Sequence, residues 1–407
     1  MILLLIFTAV WMLGYGQYKT NAQLQILTNE DSLNAGANKN KTVVSGYGSA
    51  LYQRNNDLKQ ATASLERVVL FVGHKFNDKI AFFSELELEN AVVSGSDSKG
   101  EIAMEQAFLK FNFNPKQYLV AGLFVPRIGI LNENHLPVNF NGVERPMVEQ
   151  LVIPATWREL GVAFYGSLNN VPVNYSIGLM NGLNSATFEH GDGLRGGRAE
   201  GSSALANNLA VSASLQYLWK DFKFQVSGYM GGTVGLNKRA ADSLNLNSGA
   251  FGTPVYLTEA DMQYAKNGIS FKAIGVYVSY PDGAKVNTAY AKNTANSMYG
   301  AYGEIGYDWL YKKQKQAQFI TFARCEVMDL NASIPAPPKA IYDGTLKQSN
   351  AIIGFGYLPV PNVVIKADVR LLHTGKQNPD LIINPPPNAL PYNQHNSFIN
   401  IGIGYSF

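Results

Sequence analysis

The chain has a single cysteine, Cys325, in 407 residues. One thiol cannot form an intrachain disulfide or a thiolate metal cluster. Its expected state is a small apolar side chain in a strand. Charge is also scarce. Asp, Glu, Lys and Arg make up 15% of the residues, against about 25% in soluble globular chains. The formal net charge of +3 is too small to point to nucleic acid or to a membrane-surface patch. Long hydrophobic runs are missing as well. The apolar run Met1 to Leu13 falls short of the roughly 20 residues a spanning helix needs. No later stretch comes close, so no spanning helix is expected. The five histidines, His74, His135, His190, His373 and His395, are scattered. None pairs with another His or a Cys at metal spacing. No Gly-x-Ser-x-Gly elbow occurs. Gly191-Asp192-Gly193-Leu194-Arg195-Gly196 matches a dinucleotide-binding glycine pattern, but it lies in a long loop with no helix to follow it. No cofactor and no metal are therefore expected.

What the chain does have is glycine (38), tyrosine (22) and phenylalanine (21), set in runs that alternate with period two. At the carboxyl end, Ile399, Ile401, Ile403, Tyr405 and Phe407 share one face. Asn400, Gly402, Gly404 and Ser406 share the other. Leu209 to Trp219 and Val363 to Leu371 alternate in the same way. Sixteen such runs follow from residue 42 onward, the first at 42–53 and the last at 396–407. The connections alternate short and long. Asn77-Asp78, Asn169-Asn170, Lys220-Asp221 and Asn267-Gly268 are turn residues. The long loops fall near 54–60, 94–99, 128–157, 182–206, 234–258, 282–297, 330–348 and 375–395. Loops beyond about 12–15 residues are uncommon in compact soluble domains. Short periplasmic turns, long outer loops, an even strand count and a dyad pattern together describe a transmembrane barrel. The fold class expected is all-β, a transmembrane antiparallel β-barrel of about 16 strands over 42–407. Residues 1–22 read as a signal peptide, with Thr20-Asn21-Ala22 as a small-x-small cleavage pattern. Residues 23–41 read as a short periplasmic segment, too short for a plug domain. Tyr47, Tyr52, Trp157, Trp219, Tyr307, Trp309, Tyr311, Tyr357, Tyr405 and Phe407 sit near strand ends, where interfacial girdles form.

Function is expected inside the barrel. The third long loop, 128–157, carries Pro137, Pro146 and Pro154, with Pro126 before it, and the charges Glu133, Glu144, Arg145 and Glu149. Arg127, Arg158 and Glu159 flank it. Such a loop either folds into the lumen and narrows it or stays outside with solvated charges; the first is the expectation. Arg127, Arg145 and Arg158 are the candidates for anion attraction. Glu144 shares the throat, and Glu85 and Glu87 are candidates for the opposing wall. Glu89 continues that acidic ladder, and Lys366, Asp368 and Arg370 are expected as water-facing lumen wall. Glu101, Glu105, Lys272, Glu304, Asp308, Arg324 and Glu326 also fall on inward faces.

At this point the chain resembles a family. Ala121-Gly122-Leu123-Phe124-Val125-Pro126-Arg127, Glu144-Arg145-Pro146 and Trp157-Arg158-Glu159-Leu160-Gly161-Val162 are similar to segments of the phosphate-selective porin O/P-like family, especially its Bacteroidota members. The terminal strand, with Tyr405 and Phe407, looks like the signal read by the outer-membrane barrel assembly machinery. The resemblance implies outer-membrane lipid around a homotrimer, and passive diffusion of small hydrophilic solutes, with some members favouring anions. It also implies an arginine ladder and a lysine cluster in the phosphate-selective members. The acidic set Glu85, Glu87 and Glu89 departs from that pattern. The function expected is a porin, not an enzyme. The rivals are a barrel-shaped outer-membrane enzyme, which needs a nucleophile beside a His near a rim, and a blocked structural or adhesin barrel.

Overall fold

The structure, a computed structural model, describes residues 42–91, 100–313, 316–381 and 392–407. The expected signal peptide 1–22 and segment 23–41 lie outside these residues, as do all of 94–99 and part of 375–395. Sixteen antiparallel strands close on themselves. They are β1 (Thr42–Asn55), β2 (Gln60–Lys75), β3 (Ile80–Glu89), β4 (Glu101–Asn114), β5 (Gln117–Phe124), β6 (Glu159–Ser167), β7 (Val173–Asn181) and β8 (Leu209–Trp219). Then follow β9 (Phe222–Gly232), β10 (Pro254–Lys266), β11 (Ile269–Ser279), β12 (Ser297–Asp308), β13 (Gln318–Ser333), β14 (Lys347–Val360), β15 (Val363–Thr374) and β16 (His395–Ser406). Each strand pairs with its neighbours in sequence, and β1 pairs with β16. Closure leaves no unpaired edge, which lipid requires. Among the described residues no helix is long and apolar enough to cross a membrane.

The two faces of the wall differ as the alternation dictates. Ile353 is 69% exposed on the outside, while Ile352 beside it is 2% exposed. Leu215, Val226, Ile305, Leu371, Ile401 and Ile403 are exposed, and Ser214, Gln225, Glu304, Arg324, Asp368 and Asn400 are buried. Apolar side chains left on an outer surface this extensive have lipid as their solvent. Cys325 is on this outer face, exposed, between buried Arg324 and Glu326. Two expected girdle residues belong inside instead. Tyr47 turns inward so that its hydroxyl donates to Glu105. Trp157 is fully buried, its ring 4.6 Å from that of Tyr229 and its indole N–H donating to Glu159. In both, the polar tip has a partner that only the interior supplies.

The closing seam joins β16 to β1. Tyr47 lies opposite Ser406 and Asn55 opposite Phe398. The Phe407 amide donates to the Gly46 carbonyl at 2.9 Å, and Gly46 donates back at 3.0 Å. The Tyr405 and Phe407 rings lie across Gly48 and Gly46, where a Cβ would collide with them. At the turn Asn267-Gly268 both residues have positive φ, 53° and 81°. This is the type I′ geometry that suits a two-residue hairpin.

Candidate functional site

The candidate site is the barrel interior, and the segment between β5 and β6 fills much of it. Residues 125–158 are largely buried although they belong to no strand. They touch inward side chains all round the wall. On β9 and β10, the Gln225 amide donates to the Gly129 carbonyl at 3.0 Å and the Gly129 amide reaches Glu259 at 3.4 Å. On the β11 to β15 side, Lys272 and Lys366 donate to the carbonyls of Asn139 (3.2 Å) and Phe140 (2.8 Å). Asp368 accepts from the Val143 amide at 2.6 Å. Glu326 accepts from Met147 at 2.7 Å, at the start of a short helix, Met147–Leu151. The exposed amides of a helix start make a natural seat for a carboxylate. Arg324 donates to the Asn141 and Glu144 carbonyls at 3.2 and 3.4 Å, and its guanidinium pairs with Glu304 and Glu326.

Glycines let the loop sit close. A Cβ on Gly402 would lie 2.8 Å from Val143, and one on Gly404 2.5 Å from Pro137. The small face of β16 thus has a second use beyond facing a lumen: it is the bed for this loop. Apolar side chains complete the packing. Ile128, Val148, Val152, Ile153 and Trp157 join Phe188 and Leu194 of the loop after β7, together with Phe83 and Phe108 of the wall.

Two strands carry bulges beneath the loop. Ala50 pairs with Leu65 and Ser49 with Arg67, so Glu66 is an extra residue in β2. Glu85 pairs with Gln106 and Leu86 with Met104, so Glu105 is an extra residue in β4. A bulge puts two successive side chains on one face. Glu66 and Arg67 therefore both turn inward and pair at 3.4 Å, and Arg67 also pairs with Glu87 at 3.1 Å. Glu105 and Gln106 both turn inward as well, and Gln106 donates to Glu85 at 2.7 Å.

The expected site residues have these places. Arg127 is paired with Glu133 at 2.8 Å and lies 5.1 Å from the Tyr165 ring. Arg158 is paired with Glu200 at 2.8 Å. Arg145 is buried with its guanidinium 3.4 Å from the His135 carbonyl. Glu144 is held by Arg370 at 3.2 Å and by Gln53 at 2.8 Å. Glu85 and Glu87 are buried beneath the loop, and Glu89 is half-buried opposite Arg67. Lys366, Asp368 and Arg370 do not present a water-facing wall. Their charges are taken up by Phe140, Val143 and Glu144 of the loop. The reason is proximity: with the loop against the wall, its Phe140 carbonyl, Val143 amide and Glu144 carboxylate replace water as their partners. Glu105 faces inward as expected, but its meeting with Glu85 and His135 needs a bulge and a loop path that periodicity cannot show. The three bring one ligand atom each within 4.8 Å of one another.

Glu149 ties the loop to itself and to β12. It accepts from the Ile130 and Leu131 amides at 2.9 and 2.6 Å and from the Tyr302 hydroxyl at 2.6 Å. Burial raises its carboxyl from 4.5 to about 7, although the Tyr302 hydroxyl and the Leu131 amide act the other way. A carboxyl raised in the packed loop favours packing while it is protonated. That contribution is fully present below about pH 4.5 and is lost as pH rises through about 7, where the loss amounts to about 3 kcal/mol. We expect protease sensitivity of the loop to rise across that window. Glu149→Gln, which is never charged, is expected to weaken this dependence; an unchanged profile in that variant would assign the effect to another group.

No family model matches the sequence. With the fold and interior described, the class is clear: this is a closed sixteen-strand outer-membrane barrel. An uncharacterized protein of Aquifex aeolicus (strain VF5) is 29% identical over 354 residues, which span 83% of this chain and 77% of that one. Among solved structures, the chain is similar to the anion-selective porin from Comamonas acidovorans, with a TM-score of 0.53 and 8% identity over 90% of this chain and 99% of the other. It is similar to OmpT, an outer-membrane protein of Vibrio cholerae, with a TM-score of 0.51 and 9% identity over 91% and 99%. It is also similar to Salmonella typhi OmpF, solved in complex with daunomycin, with a TM-score of 0.51 and 11% identity over 90% and 98%. At these identities the likeness is one of fold. Together with the apolar outer belt, it puts the protein in the outer membrane of a Gram-negative bacterium.

Proposed function

We propose that the protein is a porin, a passive channel for small hydrophilic solutes whose width is set by the loop between β5 and β6. The observation that carries this reading is the path of that loop. It runs inside a closed barrel and is fastened to β9–β13 and β15 by inward-facing side chains, among them Gln225, Glu259, Lys272, Arg324, Glu326 and Asp368. A loop held this firmly defines a throat rather than a swinging lid. The finer resemblance to phosphate-selective porins bears on the solute. We favour weak charge selection over a phosphate filter, because Arg127 is paired with Glu133 and Arg158 with Glu200, which it shares with Arg198. A homotrimer is part of the same reading; OmpT of Vibrio cholerae has been solved in a trimer form.

Planar-bilayer recording of the purified protein tests this. Discrete current steps with a cation-to-anion permeability ratio near unity are expected. A strong anion preference would return the phosphate-type reading to the front. A barrel that gives no steps would favour the blocked structural barrel, and hydrolysis of peptide or ester probes without steps would favour an enzyme.

A further inference from the structure

Glu85, Glu105 and His135 are far apart in the chain but meet where the loop crosses the β3–β4 wall, and each is at most 1% exposed. The His135 Nδ1 lies 2.9 Å from the Asn132 carbonyl oxygen. A carbonyl only accepts, so Nδ1 carries the proton and Nε2 of the neutral ring presents a lone pair. That lone pair faces Glu105 Oε1 at 3.6 Å and Glu85 Oε2 at 3.8 Å. Both separations are too long for hydrogen bonds. Nε2, Glu85 Oε1 and Glu105 Oε1 are buried with no hydrogen-bond partner. A buried lone pair facing two carboxylates, each with one oxygen left without a donor, is unfavourable unless something positive lies among them.

The surroundings are built to aim these groups. The Tyr47 hydroxyl donates to Glu105 Oε2 at 2.8 Å, and the Gln106 amide donates to Glu85 Oε2 at 2.7 Å. The Thr156 hydroxyl also approaches the Glu105 carboxylate. Carbonyl–imidazole and donor–carboxylate pairs of this kind orient the ligands of metal sites. Nitrogen–oxygen separations of 3.6 and 3.8 Å exceed the roughly 3.3 Å edge of a tetrahedral zinc shell by only a few tenths of an ångström.

We propose that Glu85, Glu105 and His135 hold a divalent cation of the zinc class, and that this ion clamps the third loop to the β3–β4 wall. One imidazole and two carboxylates suit Zn²⁺ and its neighbours in the first transition row, and the site contains no thiolate for softer ions. Three protein ligands leave one position for water or the Thr156 hydroxyl.

The test uses the full chain without a polyhistidine tag, stripped with a chelator and titrated with Co²⁺. Visible d–d bands of tetrahedral intensity are expected, saturating at one ion per chain and displaced by Zn²⁺. Zn²⁺ should also slow proteolysis of residues 128–157 severalfold. His135→Gln and Glu105→Gln should lose the bands, while His190→Ala, far from the cluster, should keep them. Barrel formation in each variant is read from heat-modifiable migration on gels. If a glutamine variant does not form a barrel, the wild-type titration decides alone. Absence of stoichiometric binding, or bands that persist in a folded His135→Gln, overturns the proposal; in the first case a shared proton, not a metal, would bridge the three acceptors.

Discussion

Replacing residues 128–157 with a short Gly-Ser turn should raise single-channel conductance severalfold while leaving a folded, heat-modifiable barrel. The barrel survives because the segment contributes nothing to the strand ladder; β5 and β6 pair directly from Gln117–Gly166 to Phe124–Glu159. Closure is likewise complete without it, through Tyr47–Ser406 to Asn55–Phe398. The conductance rises because the loop now occupies lumen that water would fill. Charged groups such as Arg324, Glu304, Lys366 and Asp368 would lose loop partners, but they would gain water, which hydrates charges well. The cost of removal is therefore modest at the wall. It is larger at the loop after β7, where Phe188 and Leu194 lose apolar neighbours, so that loop is expected to become the more protease-sensitive one. An unchanged conductance would place the throat elsewhere.

The strands are legible in the sequence and the loop path is not, and the difference has a physical basis. Each strand has its own lipid-facing partner in the bilayer, so its alternation is written locally, residue by residue. The first and last strands, expected at 42–53 and 396–407, are found at Thr42–Asn55 and His395–Ser406. The inward direction of Glu85 and Glu87 follows from the same rule. A loop has no such local code. Its path depends on distant partners such as Asp368 for Val143 and Glu326 for Met147. Bulges break the code from within, as at Glu66 and Glu105. The charges of Lys366, Asp368 and Arg370 point inward as alternation requires, but whether they meet water or backbone depends on the loop. His135 shows the limit most plainly: its neighbours Glu85 and Glu105 are not at any recognisable sequence spacing.

Arg324→Ala is expected to be the most damaging single substitution in the interior. One guanidinium reaches Glu326 at 2.7 Å, Glu304 at 3.2 Å, and the Asn141 and Glu144 carbonyls at 3.2 and 3.4 Å. It is 3% exposed, and Glu304 and Glu326 are buried beside it. Removing one partner from a buried ion pair typically costs about 3–5 kcal/mol, because the other charge is left uncompensated. Here two carboxylates are left, along with two loop carbonyls. The strand ladder β12–β13 does not need the side chain, so the loss falls on the loop's attachment. Higher conductance, greater current noise and faster cleavage within 128–157 should appear together, with the barrel still heat-modifiable. Arg324→Lys should fall between, since an ammonium carries the charge but lacks the planar fork that serves four acceptors. A triple variant, Arg324→Met with Glu304→Gln and Glu326→Gln, separates charge from packing. It should be less damaging than Arg324→Ala because no buried carboxylate is stranded. If Arg324→Ala behaved as the parent in conductance and in proteolysis, the loop would be held by its apolar packing around Val148 and Val152 rather than by this guanidinium.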